Sequence, residues 1–367
     1  MAIYARETAS AEYEDVLLID KAGRTPVIIH HLEQAASLYP WKKFCNFSVP
    51  LSETHNHQPG LVKKITRQLR SKPVFRSVYN LLLKRYKKKT IRTHQHMLQK
   101  QLGKYTGEVQ LFVVKETILS DALSGLYPNA PVNYFEHGLS DYTLLSDGAE
   151  RDGKFFCIFA GQFRTYLANA GKDFEFVRPF LKDDAFAATC QNYFAFEKEN
   201  AIALRSVFSP GMRYALLLMQ PVEIMDVNDK NFWTGFLEKC IAVSGAAADL
   251  CFIVKPHPYQ STDSIRVVND FFSDRKINFI IPPATITSTS IEISFSQWEK
   301  HISFVFSPYS SSVYYLSKLY PSKDRRYFHD YEYMKKHLAH SPEYFRTLFL
   351  KTDPLIREVF SENCIAL

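Results

Sequence analysis

Cys251-Phe252-Ile253-Val254-Lys255-Pro256-His257-Pro258 is an apolar, strand-like run that stops at a histidine held between two prolines. Proline fixes its own φ and restricts the residue before it, so the segment leaving the strand is stiff and extended. Ligands of open α/β sheets bind at the carboxyl ends of the strands, which is where this segment places Lys255 and His257.

Strand and helix patterns alternate outward from this stretch. In the second half, strands are expected at 214–219, 250–254, 277–281 and 301–306, with helices at 231–243, 261–272, 291–298 and 310–319. In the first half, short apolar strands are expected at 16–19, 27–29, 109–114, 131–135 and 154–159, with a helix over 116–126. Strands alternating with helices at this spacing imply parallel βαβ units. Two such series predict an α/β chain of two Rossmann-like domains facing each other across a central cleft. The break at Ser209-Pro210-Gly211 sets the domains at 1–208 and 209–367, with the final helices packing back on the first.

The chain has 367 residues, longer than one typical domain, and its 46% apolar content is enough for large cores. Its six cysteines are scattered with no CxxC spacing, which reads as reduced thiols and excludes a disulfide frame or a zinc-ribbon pattern. Residues 1–20 lack a basic segment followed by an apolar one, so no secretory leader is expected. No apolar run approaches the ~18 residues of a membrane span. Charge is unevenly spread. From Thr54 to Tyr105 there is no Asp or Glu, while 14 Lys and Arg lie there, against a net charge of +7 for the whole chain. A basic block (62–104) on an otherwise acidic protein points to a polyanionic partner.

Two further strand ends carry chemistry. After Phe304-Val305-Phe306, the residues Ser307-Pro308-Tyr309-Ser310-Ser311-Ser312 open a helix. Unpaired N–H groups and a partial positive charge at that helix start, with serine hydroxyls added, make a phosphate cradle without a Gly-rich loop. Plain N-capping is the structural alternative. In the first half, Tyr134-Phe135 leads into Glu136-His137-Gly138. A carboxylate there can take a proton from a hydroxyl when partial burial raises its pKa. A salt-bridged strand-end Glu beside a turn glycine is the alternative. A base, a histidine and a serine cluster are the parts that transfer from a nucleotide sugar needs. No acidic pair of the DxD type sits at a strand end, so side chains and a helix terminus would balance the phosphate charge without metal. His55 and His57 have the spacing of a metal pair, but no carboxylate follows Glu53 nearby, and they read as loop residues.

Glu136-His137-Gly138, His257-Pro258 and Ser310-Ser311-Ser312 resemble the motifs of bacterial sialyltransferases of the GT-B fold, particularly capsular polysialyltransferases and lipooligosaccharide sialyltransferases. Those families carry an acidic-acidic-Gly motif, then His-Pro, then a Ser-rich motif, in this order. His137 stands at the second acidic position, a departure from the pattern. The resemblance implies a CMP-activated nonulosonic acid such as CMP-sialic acid as donor, with no cofactor and no metal. It implies inversion through an oxocarbenium-like state onto a hydroxyl of a capsular or lipooligosaccharide glycan, polysialic acid included. Glu136 would be the base and His257 would act on the CMP phosphate. Lys255, Pro258, Gly138, Ser310, Ser311 and Ser312 would surround the donor. The implied location is cytoplasmic, peripheral to the inner face of the membrane.

Within the basic block, 73–90 has helical apolar spacing followed by a run of cations. Lys63, Lys64, Arg67, Arg70, Lys72 and Arg76, with His137, are the candidate acceptor-binding residues. Such a block suits an anionic or lipid-linked glycan, or an anionic membrane surface. Nucleic acid is not expected, because no base-reading module accompanies it. Two other readings stand beside the first. The His-Gly, Pro-His-Pro and Ser elements also resemble polymerases of the teichoic-acid type, which transfer a polyol phosphate and release CMP; His137 would then be catalytic. Alternatively, the chain is a non-catalytic polyanion- or membrane-binding protein on the same scaffold.

Overall fold

The computed structural model describes residues 16–20, 33, 36–37, 43–47, 76–103, 108–114, 117–136, 138–146, 153–179, 207–225, 227, 229–245, 248–257, 260–283, 290–360 and 364–367. The strand expected at 27–29, the pair His55 and His57, the candidates Lys63, Lys64, Arg67, Arg70, Lys72, His137 and Pro258, and the side chain of Arg76 lie outside what is described. The chain is α/β with parallel sheets, and it divides into two compact units, Met1–His137 with Glu150–Phe156, and Gly138–Ala149 with Cys157–Leu367.

In the first unit, β1 (Val16–Asp20) pairs in parallel with β2 (Lys43–Phe47), a strand the sequence reading missed. Helix α1 (Arg76–Leu102) follows, twelve residues longer at its end than the expected pattern, which closed at Thr90. Its buried stripe falls every four residues, at Thr90, His94, Leu98 and Leu102, so one narrow face enters the core. There Leu98 and Leu102 join Cys45, Leu111, Val113, Ala122 and Leu123. The ammonium of Lys43 donates to the carbonyl of Gln101 at 2.6 Å, satisfying an acceptor that the helix end leaves open. Strand β3 (Leu111–Val114) leads to α2 (Ile118–Leu126), which opens with a reciprocal capping box between Thr117 and Ser120. Then β4 (Val132–Phe135) lies between β3 and β5 (Phe155–Cys157), all parallel.

In the second unit, α3 (Leu139–Ser146), α4 (Ala160–Asn169) and β6 (Val177–Pro179) precede the main sheet. That sheet is built from β7 (Arg213–Leu218), α5 (Asp229–Ser244), β8 (Leu250–Lys255), α6 (Thr262–Asp274), β9 (Phe279–Ile280), α7 (Ile291–Trp298), β10 (Ile302–Ser307), α8 (Ser311–Leu319), β11 (Arg326–His329), α9 (Tyr331–His337), α10 (Glu343–Leu355) and β12 (Ile365–Ala366). All six residues of β8 are buried, as an interior strand of a sheet covered on both faces requires. The spatial order is β12-β11-β10-β7-β8-β9, with every one of these neighbours paired in parallel. Counted from its own first strand, this is the order 6-5-4-1-2-3, that of the doubly wound dinucleotide-binding sheet. The chain runs outward from β7 to β9 and restarts on the other side of β7 at β10. The topological switch point therefore lies between β7 and β10.

Helix α10 packs on α3, where the hydroxyls of Thr143 and Thr352 meet at 3.0 Å. Pro354 cannot donate within α10, and the chain continues as a π turn over Ile356–Phe360. Phe360 sits edge-on to Tyr142 and to Phe159, at ring distances of 4.9 and 5.0 Å. These contacts join residues more than 200 positions apart, and they explain why Gly138–Ala149 belongs to the second unit.

Candidate functional site

Strands β7, β8 and β10 deliver their carboxyl ends to one edge of the second sheet. Register fixes the neighbours: Leu218 lies opposite Lys255, and Leu217 opposite Phe306. The side chains that continue past these ends are Gln220 and Glu223 after β7, His257 and Gln260 after β8, and Tyr309 to Ser312 after β10.

Helix α8 opens at Ser310. The backbone N–H of Ser310 donates to the hydroxyl of Ser307 at 3.0 Å, and the N–H of Ser312 donates to the hydroxyl of Ser310 at 3.2 Å. Ser310 is thus the N-cap, and its hydroxyl is spent on the helix itself. Ser311 and Ser312 are half-exposed, and among the described residues their hydroxyls hold no hydrogen bond. The three serines therefore divide: one shapes the helix start, and two remain available to a ligand. No acidic residue stands in the first turn.

The helix starts after β8 and β11 differ. Asp330 caps α9 through the N–H of Tyr333 at 3.1 Å. Glu223 reaches the start of α6, where its carboxylate accepts from the N–H of Ser261 at 2.5 Å, from Nε2 of Gln260 at 3.2 Å and from the hydroxyl of Ser264 at 3.3 Å. Of these three helix starts, only that of α8 lacks its own carboxylate, so it is the one with a dipole open to an outside anion.

Lys255 is buried, with 8% of its surface exposed, and its ammonium is held down to about 8 by that burial, which the charge of Glu292 opposes. His257 is half-buried and held down to about 4, first by burial and then by the charge of Lys255, with Glu223 acting the other way. The sequence reading has His257 acting on the CMP phosphate. With its ring held so low, it is neutral at pH 7 in the ligand-free protein and meets an anion first as a hydrogen-bond donor. Burial, then the charge of Glu223, pushes the Tyr309 hydroxyl well above its ordinary range.

Glu136 ends the strand β4 in the first unit and is 2% exposed, with its N–H donating to the carbonyl of Phe156 at 3.1 Å. Gly138 opens α3, where its N–H donates to the carboxylate of Asp141 at 3.0 Å. A methyl group added at Gly138 would stand 3.7 Å from the hydroxyl oxygen of Ser311, an ordinary contact, and the residue does not need a left-handed φ. The glycine thus lies against the serine helix, which its distance of 173 positions in sequence conceals. Sequence reasoning missed Glu223 and Gln260, and it counted Ser307 in the serine segment without seeing that its hydroxyl accepts from the N–H of Ser310. The one signal for Glu223 in the sequence was its place four residues past the expected strand at 214–219.

No protein-family model and no curated protein matches the chain. Among solved structures it is similar to the UDP-GlcNAc 2-epimerase of Methanocaldococcus jannaschii, at 13% identity over 86% of this chain and 83% of the other, with a TM-score of 0.47. The UDP-GlcNAc 2-epimerase of Neisseria meningitidis gives 12% identity, coverage of 82% and 79%, and a TM-score of 0.46. A glycosyltransferase from Rickettsia africae gives 11% identity over 96% of each chain and a TM-score of 0.42. All three likenesses are distant, and neither substrate nor reaction is transferred from them.

Proposed function

We propose that this chain is an inverting, metal-independent glycosyltransferase of GT-B architecture that moves a nonulosonic acid from its CMP-activated donor to a glycan hydroxyl. The observation that carries the reading is the start of α8, a carboxylate-free helix N-terminus with two uncommitted serine hydroxyls at the switch point of a doubly wound sheet. One open helix start suits a donor with a single phosphate, as a CMP-activated sugar has. Ser311, Ser312, Lys255 and His257 hold that phosphate as it leaves, and Glu136 takes the proton of the acceptor hydroxyl. The order of the three motifs in sequence supports the sialyltransferase reading over other sugar donors. In this reading the first compact unit serves the acceptor, and the second, which carries both Gly138 and Ser311, serves the donor.

Helix α1 supports an anionic acceptor. Lys84, Lys88, Arg92, His96 and Lys100 are all exposed and recur every four residues, about 6 Å apart along the axis. Lys87 is engaged by Asp121 at 2.8 Å. Leu98 and Leu102 on another face of this helix are buried in the core. No helix among the described residues is long and apolar enough to cross a membrane. A chain-like polyanion is the partner that these evenly spaced cations suit.

The test is CMP release from CMP-sialic acid, with and without a sialylated oligosaccharide. Acceptor-dependent release supports the reading. No release, together with no rise in melting temperature at millimolar CMP, overturns it, because a ligand of the native state must stabilise that state. A pH series adds a second check. A bound phosphate favours the ammonium form of Lys255, which the free protein begins to lose near pH 8. CMP affinity is expected to fall as pH rises through that value, approaching a ~10-fold loss per pH unit above it. Titration calorimetry of the wild type and of Lys255→Met measures this. A wild-type profile as flat as that of the variant would remove Lys255 from the donor site.

A further inference from the structure

We infer that Glu223 is a positioning residue that fixes the loop carrying His257 and, by occupying the start of α6 itself, directs the donor phosphate to the start of α8. The inference rests on the donor reading above, and the geometry behind it is local. The turn after β8 is closed by the N–H of Gln260 donating to the carbonyl of His257 at 2.8 Å. The next two groups along the chain, the side chain of Gln260 and the N–H of Ser261, both donate to the Glu223 carboxylate, at 3.2 and 2.5 Å. Ser261 also caps α6 through the N–H of Ser264 at 3.1 Å, and the Ser264 hydroxyl returns to Glu223 at 3.3 Å. One carboxylate thus ties the segment after β7 to the far side of the His257 turn, and the Gln260 N–H carries that hold back to the His257 carbonyl. Three donors to one ionised acceptor make a charge-assisted set, stronger than neutral bonds of the same length.

Gln260 shows that the arrangement is held against a cost. A carboxylate only accepts, so the amide must turn its Nε2 toward Glu223. Its Oε1 is then left buried, without a hydrogen-bond partner among the described residues. A freely chosen loop conformation would not strand an acceptor in this way. The charge of Glu223 also reaches His257 and Tyr309, which stand at the ends of β8 and β10. The same negative charge repels a phosphate from α6, where three donors would otherwise have greeted it.

The experiment compares Glu223→Ala, Glu223→Gln and the exchange Glu223→Gln with Gln260→Glu. Each is read by the amide exchange rate of Ser261, by the NMR signals of the His257 ring, and by the KM and kcat of CMP release from CMP-sialic acid. Glu223→Ala is expected to speed Ser261 exchange by about 10-fold or more and to displace the His257 signals. It is also expected to raise the donor KM by about 10-fold. Glu223→Gln keeps one acceptor for Ser261 but opposes two amide N–H groups, so it falls between. The exchange variant restores an acceptor–donor pair and is expected to bring all three readouts back toward wild type. The inference is overturned if Glu223→Ala loses melting temperature while Ser261 and His257 stay as in wild type. Failure of the exchange variant to recover any of the lost protection would overturn it equally. The exchange rate and the ring signals need no donor. A wild type that releases no CMP therefore sinks the donor reading alone, while these two readouts still judge the role of Glu223.

Discussion

Glutamine in place of Glu136 is expected to lower acceptor-dependent transfer by about 10²- to 10⁴-fold, the usual worth of a positioned general base. The exchange is nearly isosteric, which matters because Glu136 is 2% exposed at the end of β4 and its backbone is tied to β5 through Phe156. The fold should survive, and CMP should still raise the melting temperature, since the proposed phosphate site lies on other strands. The loss should fall on kcat with little change in donor KM, because the missing group acts on the acceptor proton in the transition state. The companion variant is His137→Ala. Retained transfer in Glu136→Gln with loss in His137→Ala would reverse the assignment and favour a polyol-phosphate transferase. Loss in both without loss of CMP binding would leave the donor half of the reading intact.

Arg325→Ala is expected to cause the largest loss of stability in the second unit. Arg325 is 9% exposed, and its guanidinium reaches four acceptors. Nε donates to the carbonyl of Ile302 at 3.1 Å, one terminal nitrogen to the carbonyl of Tyr320 and the hydroxyl of Tyr327, both at 3.0 Å, and the other to the carbonyl of Glu299. One side chain therefore closes the end of α7, the end of α8 and the start of β10. It also lies 5.0 Å from the ring centre of Phe295. Removing it leaves buried carbonyls without donors, at a cost on the order of 3–5 kcal/mol. That corresponds to a fall in melting temperature of roughly 10 °C for a unit of this size. Arg325→Lys should recover only part, because one ammonium cannot span the fork. Calorimetry of the three proteins decides it, and a variant melting within about 2 °C of wild type would show that the network contributes little net stability.

Much of the second sheet was legible in sequence for a physical reason. Strands covered on both faces are apolar along most of their length, so β7, β8 and β10 stand out as nearly continuous apolar runs between helical stretches. The serine cluster was legible as a helix start because capping chemistry is local. It was not legible that Ser310 is consumed by the cap while Ser311 and Ser312 stay open. That division depends on rotations about single bonds within one turn. The short strands β2, β11 and β12 went unread because runs of two to five mixed residues carry no usable period.

By itself, the sequence determined the α/β class, the places where apolar strands end, and the residue types stationed at those ends. These follow from interactions between residues a few positions apart, and they survive in any arrangement of the strands. Only the tertiary structure decided that β10 lies beside β7, that Glu223 fills the start of α6, and that Gly138 lies against Ser311. Those facts join segments 38 to 173 positions apart. Hydrophobic periodicity tells each segment which face to bury, but it leaves open which partner to bury that face against. The partner is chosen by packing and by hydrogen-bond satisfaction across the whole unit.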